Sequence, residues 1–184
     1  VLSILFEDSF ITLMLALELT SEPAGNQRGP WAKLSSCSVS RTRGRWEFHG
    51  VLITGPAGIG KSSLALELLH QGHQLIADDN IEFKQQDNHI IGSCPKLLEH
   101  HLHTRELGLI NVVEQFGPTA WQVQHRLDIV VQLQHDIDAK QTDLKPELIP
   151  YQICDQTYYA LRLSIQNPAS LSHRLKTWVR CQKN

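Results

Sequence analysis

Residues 50–62 read Gly50-Val51-Leu52-Ile53-Thr54-Gly55-Pro56-Ala57-Gly58-Ile59-Gly60-Lys61-Ser62. The start of this stretch is apolar and predicts a short buried strand. The rest has the spacing Gly, four free positions, then Gly-Lys-Ser, which is typical of a phosphate-binding loop. Gly55, Gly58 and Gly60 allow positive backbone dihedrals, so several N–H groups can turn inwards towards phosphate oxygens. The stretch therefore predicts a nucleotide site together with the strand that carries it.

The residues after the loop predict a helix from Ser62 to Gln71. Its apolar positions recur at helical spacing, and Gly72 stands where a left-handed helix cap is needed. This order places bound phosphates at a helix N-terminus, whose partial charge is positive. Lys61 would add a charge near the β and γ phosphates, and the Ser62 hydroxyl would ligate Mg²⁺. We therefore predict ATP and Mg²⁺ as cofactors, and the predicted nucleotide-binding residues are Gly55, Pro56, Ala57, Gly58, Ile59, Gly60, Lys61, Ser62 and Ser63.

A second predicted strand, His73 to Ala77, ends in the acid pair Asp78 and Asp79. Paired acids in a turn are usually solvated surface. Two carboxylates at a strand end facing a phosphate loop, however, suit a Mg²⁺ ligand and a base for an attacking hydroxyl. The other buried strand, Leu127 to Leu133, runs into Gln134-His135 and offers no such acid. The predicted catalytic residues are therefore Lys61, Asp78 and Asp79.

Composition limits the class of protein. A chain of 184 residues with 41% hydrophobic residues can bury one sizeable core. The formal net charge of −2 gives no electrostatic footprint for nucleic acid or an anionic membrane, and we expect neither as a partner. The cysteines show no paired spacing, which argues against a zinc site or a disulfide framework and favours a reducing cytoplasm. They are Cys37, Cys94, Cys154 and Cys181.

The first thirty residues are treated as an apolar segment and a linker. Val1 to Thr20 is fairly apolar but is interrupted by acids, and it suits neither a signal peptide nor a membrane span. We expect it to form a short helix that packs on the domain or on a neighbour. Ser21 to Pro30 is rich in Pro, Gly and polar residues and predicts a linker, so the main domain is placed at 31–184, starting near Trp31.

The rest of the chain predicts an α/β class, with a mixed sheet and flanking helices around the P-loop. The further predicted elements are a hairpin with strands at Ile81–Phe83 and His89–Ile91 around Asp87-Asn88, a short helix at Pro95–Leu102, strands at Leu107–Val113 and Tyr158–Ile165, and a C-terminal helix capped by Asn167-Pro168. His100, His101 and His103 invite a metal-site interpretation. No cysteine or carboxylate completes a ligand set at firm spacing, so no transition-metal site is predicted.

With these motifs, the chain from Gly50 to Leu133 resembles the C-terminal catalytic domain of bacterial HPr kinase/phosphorylase. The matching segments are the strand and loop at Gly50 to Ser62, Gly72-His73-Gln74-Leu75-Ile76-Ala77-Asp78-Asp79, Gly92-Ser93-Cys94-Pro95, Gly108-Leu109-Ile110-Asn111-Val112 and Phe116-Gly117. The resemblance implies a P-loop domain similar to the nucleotide-binding fold of phosphoenolpyruvate carboxykinases. It also implies a divergent member without the large N-terminal domain of many relatives.

The same resemblance implies an activity. The family transfers the γ-phosphate of ATP to a serine of the phosphocarrier protein HPr, in the regulation of carbon metabolism, and assembles into hexamers. By this likeness Lys61 would hold the transferring phosphate, Ser62 would bind Mg²⁺, and one acid of Asp78-Asp79 would take the serine's proton. In the reverse reaction inorganic phosphate attacks phosphoserine, and the same acid returns the proton.

Three departures from the family fall on residues that it uses for chemistry. The Glu-x-Arg-Gly run, whose Glu contacts the metal, aligns with His103-Thr104-Arg105-Glu106, which makes Asp79 and Glu106 further candidate metal ligands. The Pro-Gly-Arg-Asn stretch, whose Arg assists dephosphorylation, aligns with Ile153-Cys154-Asp155-Gln156. A His-Gly pair before the loop strand is replaced by Ser40-Arg41.

These departures leave alternatives open. The first is an active HPr-type serine kinase whose phosphorylase activity is reduced or lost, because Asp155 cannot neutralise phosphate. The second is a nucleotide-binding regulatory protein that keeps the loop but transfers phosphate poorly or not at all. A small-molecule kinase on the same scaffold is a third alternative.

Overall fold

The computed structural model of the protein describes residues 10–19, 47–136 and 146–182. The strands are β1 Phe10–Leu19, β2 Glu47–Pro56, β3 Gln74–Asp79, β4 Glu82–Gln86, β5 His89–Ser93, β6 His101–Thr104, β7 Gly108–Asn111, β8 Gln124–Gln134, β9 Leu148–Ile153 and β10 Gln156–Ser164. The helices are α1 Lys61–His70, α2 Val112–Phe116 and α3 Leu171–Cys181, with short 3₁₀ turns at Lys96–Leu98 and Pro118–Ala120. The predicted α/β class, with a mixed sheet and flanking helices, is confirmed.

The main sheet sets the direction of the strands that carry the candidate site. Its strands follow the order β3-β1-β2-β8-β10-β9, and β5 of the β4–β5 hairpin joins it beside the start of β8. Strands β2, β8 and β10 are parallel, whereas β1 is antiparallel to both β2 and β3. Because β1 lies antiparallel between them, β2 and β3 run in the same direction and end at the same edge of the sheet.

Strand β1 corrects the prediction for the first residues of the chain. The short helix predicted within Val1 to Thr20 is wrong for Phe10–Leu19, which form a strand in the sheet. Leu, Met and Ala favour helices one by one, but Leu13 to Leu17 are fully buried, as expected for a strand covered on both faces. Burial thus overrides local preference. The predicted linker and the boundary at Trp31 lie outside the described residues.

Helix α1 follows the predicted pattern closely. Its buried side chains repeat at helical spacing, at Lys61, Leu64, Ala65, Leu68 and Leu69. It ends in a Schellman motif, in which the N–H of His73 donates to the Leu68 carbonyl and that of Gly72 to the Leu69 carbonyl. Gly72 has φ 84°, the left-handed conformation that this cap requires. The helix therefore has a defined end immediately before β3.

Several other elements differ from their predicted bounds. The helix predicted at Pro95–Leu102 is only a 3₁₀ turn, and β6 begins at His101, because Leu102 is buried by the strand while Leu97 is 95% exposed. The strand predicted at Leu107–Val113 stops at Asn111, whose side chain caps α2 by accepting the N–H groups of Val113 and Glu114.

The predicted strand at Tyr158–Ile165 is present as β10, Gln156–Ser164, and the last two predicted features are a hairpin turn and a helix cap. The hairpin around Asp87 and Asn88 is present, and both residues have the positive φ that a two-residue turn favours. Helix α3 is capped by Ser170, not by Asn167-Pro168. Within the described part of the chain, no helix has the length and apolar character needed to cross a lipid bilayer.

Candidate active site

The phosphate-binding loop connects the end of β2 to the start of α1. Gly55, Gly58 and Gly60 have φ values of 151°, 78° and 102°, so the backbone turns through the region that glycine favours. The first helical hydrogen bond at this end of α1 is donated by Leu64, whose N–H binds the Gly60 carbonyl at 2.9 Å. The preceding amides of the first turn therefore have no intrahelical acceptor and are available to an anion at the helix N-terminus.

Lys61 is the buried cation of this loop, with 5% of its surface exposed. Its Nζ donates to the Gly55 carbonyl at 2.9 Å and to the Pro56 carbonyl at 2.8 Å. Burial lowers the pKa of the ammonium group, and the negative charges of Asp79 and Asp78 oppose that shift. Lys61 is thus held at the mouth of the loop, within electrostatic reach of both acids.

The register of β1 sets the distance between the loop and the acid pair. Thr12 pairs with Thr54 on β2 and with Asp79 on β3. Asp79 therefore lies two strand spacings from the start of the loop, about 10 Å across the sheet. The ends of β2 and β3 thus point the same way with β1 between them, an arrangement that the chain order alone does not reveal.

Asp78 is the more buried acid of the pair, at 8% exposure. Its Oδ2 accepts the backbone N–H of His103 at 2.8 Å, and its Oδ1 is buried without a hydrogen bond to another described residue's side chain. Burial raises the pKa of this carboxyl to about 6, assisted by the charge of Asp79 and opposed by the bond from His103. Asp78 therefore fastens β6 to the end of β3.

Asp79 is exposed and adopts a left-handed backbone, with φ 57°. Asp tolerates this conformation better than most residues. Partial burial raises the pKa of its carboxyl, while the charges of Lys61 and His103 lower it. Of the two acids, Asp79 is the one that a second macromolecule can reach.

The β6–β7 hairpin brings a further cation to the loop. Leu102 and Thr104 of β6 are buried, so the alternate residues His101 and His103 face the other side of the strand. Arg105 follows in the turn, and a β-carbon placed on Gly58 would lie 2.9 Å from its Nη2. Sequence reasoning did not select Arg105 as a site residue, because an arginine in a turn carries no signal of the loop that it will contact.

The donor set fits a cation that arrives with a nucleotide. Among the described residues, no group of three or more His, Cys, Asp or Glu side chains could hold a metal ion by itself. The Ser62 hydroxyl in the first turn of α1, the Asp79 carboxylate and nucleotide phosphates together suit a cation such as Mg²⁺, which usually takes one or two protein oxygens plus phosphates and water. Glu106 lies exposed in the hairpin turn, and within the described residues no hydrogen bond or ion pair joins it to the loop.

The β9–β10 turn lies away from the loop and the acid pair of the same chain. Cys154 has φ 51° in that turn, and Gln156 at the start of β10 donates from Nε2 to the Asn88 carbonyl at 2.9 Å. Since β10 runs parallel to β8 and β2, its first residues lie at the sheet edge opposite the loop. The acid at 155 therefore stands away from the phosphate site of its own chain.

A buried lysine, a glycine-rich turn and acids on a parallel strand two places away in the sheet define a P-loop nucleotide-binding domain of the α/β class. The chain belongs to the HPr serine kinase C-terminal domain family, whose model matches residues 48–181.

Curated relatives match about half of this chain. HPr kinase/phosphorylase 1 of Oceanobacillus iheyensis is 46% identical over 95 residues, which cover 51% of this chain and 31% of that protein. HPr kinase/phosphorylase of Listeria welshimeri is 51% identical over 87 residues, which cover 47% of this chain and 28% of that protein. The matched segment thus spans about a third of the length of these curated relatives.

A solved structure is also similar. The Hpr(Ser) kinase/phosphatase from Coxiella burnetii superimposes with a TM-score of 0.68 and 34% sequence identity. The match covers 73% of this chain and 83% of that one.

Proposed function

We propose that this chain is an ATP-dependent serine protein kinase of the HPr kinase type, which transfers the γ-phosphate of ATP to a serine of the phosphocarrier protein HPr. One observation carries the proposal. The buried Lys61 of the loop and the exposed carboxylate of Asp79 lie at the same edge of the sheet, on strands that are two places apart. Family membership over residues 48–181 supports it.

The proposed step is a single phosphoryl transfer. The first-turn amides of α1 and the Lys61 ammonium hold the phosphate chain and neutralise charge on it. The serine oxygen of HPr forms a bond to the γ-phosphorus, the bond from that phosphorus to the bridging oxygen of ADP breaks, and Asp79 takes the hydroxyl proton. The Ser62 hydroxyl, together with the phosphates, would hold a Mg²⁺ ion, which would supply charge neutralisation for the transfer.

We assign the proton to Asp79 because of its exposure. A serine on a folded protein reaches only a carboxylate at the surface, and Asp79 is exposed whereas Asp78 is 8% exposed. One oxygen of Asp78 is also engaged by the His103 amide. Asp78 then acts as a positioning residue, because it ties the β6–β7 hairpin to the strand that presents Asp79.

A second function, a nucleotide-binding regulatory protein with weak or no transfer, is favoured by one observation. By the family resemblance a carboxylate that contacts the metal is expected at position 103, where this chain has His103, and among the described residues no group of three or more His, Cys, Asp or Glu side chains could hold a metal ion. A protein with these substitutions would still bind ATP through the loop. Reverse phosphorylase chemistry, a hexameric assembly and a cytoplasmic location stay predictions.

The deciding experiment uses purified protein, labelled ATP with Mg²⁺, and HPr that carries either Ser or Ala at the acceptor position. The kinase proposal requires label to enter the Ser form and not the Ala form. ATP binding by calorimetry without any transfer would instead support the regulatory function. Absence of ATP binding at millimolar nucleotide would contradict both.

A further inference from the structure

The carboxyl end of β8 lies directly beside the start of the phosphate-binding loop. A β-carbon placed on Gly55 would lie 2.6 Å from the Leu133 carbonyl oxygen, so the loop and the strand end are in close contact. Strands β2, β8 and β10 are parallel, and their carboxyl ends therefore share the edge of the sheet that carries the loop. In open α/β sheets, ligands bind outside this edge.

The position of Asp79 determines on which side of β2 the rest of the nucleotide lies. In phosphoryl transfer the attacking and leaving oxygens are roughly in line, on opposite sides of the phosphorus. Asp79 is at the end of β3, on one side of β2, whereas β8 and β10 are on the other side. The ADP part of the nucleotide should therefore extend from the loop towards the ends of β8 and β10.

The residues that follow Leu133 suit a nucleoside better than a phosphate. Positions 134–136 read Gln-His-Asp and contain no Lys or Arg. His135 and Asp136 are exposed, and no hydrogen bond or ion pair joins either side chain to another residue in the part of the chain that the structure describes. An imidazole ring can stack on a base, and a carboxylate accepts hydrogen bonds from ribose hydroxyls.

The backbone of this segment is held in place by β10. The Ser164 hydroxyl donates to the His135 carbonyl at 2.8 Å, and the Ile165 N–H donates to the Gln134 carbonyl at 2.9 Å. Arg174 of α3 in turn donates from Nη2 to the Ser164 carbonyl at 2.8 Å. The strand end is therefore anchored before any ligand binds, which reduces the entropy lost on binding.

We propose that the nucleoside of the bound nucleotide lies over the carboxyl end of β8, where the His135 ring stacks on the base and the Asp136 carboxylate accepts a ribose hydroxyl. The inference rests on the proposed function, since it needs phosphates in the loop. It goes beyond that function because it assigns the nucleoside to residues outside the loop, on the side of β2 opposite the acids.

The test compares ligands with and without the nucleoside. Calorimetry with Mg²⁺ gives the Kd of ADP and of inorganic pyrophosphate for the natural protein and for His135→Ala. Loss of a stacking ring should weaken ADP about tenfold. Pyrophosphate should change less than about twofold, because it has no base to stack.

A second variant tests the ribose contact. Asp136→Asn should weaken ADP about tenfold, as expected for a lost hydrogen bond to a charged group. It should not weaken an ADP analogue whose ribose lacks both hydroxyl groups. The matched controls His89→Ala and Asp87→Asn alter exposed residues of the β4–β5 hairpin and should leave every Kd unchanged.

A spectrum gives a readout that does not depend on affinity. The ring-proton resonances of His135, assigned by their loss in His135→Ala, should shift upfield when ADP binds, because a stacked base exerts a ring current on them. Pyrophosphate should not cause this shift.

The outcomes separate the two proposals. An unchanged Kd of ADP in His135→Ala, an equal loss for ADP and pyrophosphate, or natural protein that binds ADP no better than pyrophosphate overturns the nucleoside site and leaves the kinase proposal intact. A nucleoside effect in a protein that transfers no label to HPr supports the site and contradicts the kinase. Binding of neither ligand removes the loop site and both proposals with it.

Discussion

The loop with α1 and the acid pair with the β6–β7 hairpin meet at one site but are held together differently. In the first region the decisive contacts are close in sequence: Lys61 binds the carbonyls of Gly55 and Pro56, and Gly72 closes the helix on Leu69. In the second region they are distant: Asp78 accepts the amide of His103, 25 residues on, and Arg105 returns to Gly58.

We infer from this difference that substitutions can change nucleotide binding and phosphoryl transfer separately. The loop has its shape as soon as β2 and α1 form, because its contacts are local. The acids and the hairpin gain their positions only when β1, β3 and β6 pack together. Substitution of either acid should therefore lower transfer and leave a loop that still binds nucleotide, whereas Arg105 lies against Gly58 and joins the two regions.

The largest separation should come from Asp79→Asn. Asn keeps the shape and tolerates the left-handed backbone at this position but cannot accept the proton. We expect kcat for HPr phosphorylation to fall about 10³-fold, with the Kd of ADP changed less than about twofold, a shift under ~0.5 kcal/mol.

A matched control exists for that substitution. Asp87→Asn alters another exposed aspartate with positive φ, in the β4–β5 turn, and should leave kcat unchanged. Equal turnover in the Asp79 variant and the natural protein would dismiss Asp79 as the base.

Leu68→Ala should destabilise the first region. Leu68 is fully buried in α1 and its carbonyl accepts the final bond of the Schellman motif. Truncation leaves a cavity, and we expect a loss of about 3 kcal/mol in the free energy of unfolding, measured by urea denaturation. Leu97→Ala, at a residue that is 95% exposed, should change it by less than about 0.5 kcal/mol. Similar losses in both variants would contradict the packing described for α1.

Asp78→Asn tests how much the buried carboxylate lowers the free energy of unfolding as the pH rises. The pKa of Asp78 is raised from 3.8 to about 6 in the folded protein. The protonated group thus contributes stability that is fully present below pH 3.8 and is lost as the pH rises through 6. Because Asn stays neutral, the stability of the variant relative to the natural protein should rise by about 2 kcal/mol between pH 4 and pH 7.

The measurement is urea denaturation of both proteins across that range. His73, whose pKa is lowered to about 4 by burial and by the cations Lys176 and Arg180, is common to both and cancels in the difference. Two stability curves that stay parallel from pH 4 to pH 7 would show that Asp78 ionises normally.

Arg105→Gln should give the smallest effect and tests the contact between the two regions. Removing a guanidinium beside the loop should weaken ATP binding about tenfold, near 1.4 kcal/mol. The loss should shrink at high salt, because Arg105 is exposed. Lys84→Gln removes an exposed charge on β4 and should have no effect on the Kd. An unchanged Kd for the Arg105 variant would show that Arg105 contributes nothing to ATP binding although it lies beside the loop.

Particular residues show how far the sequence could be read. Helix α1 and its Gly72 cap were predictable, because apolar spacing and a glycine at a helix end are local signals. Asp78 and Asp79 were selected together, but their division into a buried and an exposed carboxyl depends on the β6 strand that covers one of them. Arg105 was missed, and the β1 strand was mistaken for a helix, because both depend on partners far away in the chain.

The amino-acid sequence by itself determined the nucleotide loop, the helix that follows it and the presence of two acids at the next strand end, since each is written in neighbouring residues. Only the tertiary structure decided that β1 lies between loop and acids, that Asp79 is the accessible carboxylate, that the His103 amide binds Asp78, and that Arg105 lies against Gly58. Those positions result from strand pairing and burial between distant segments, and no local pattern encodes which segments will meet.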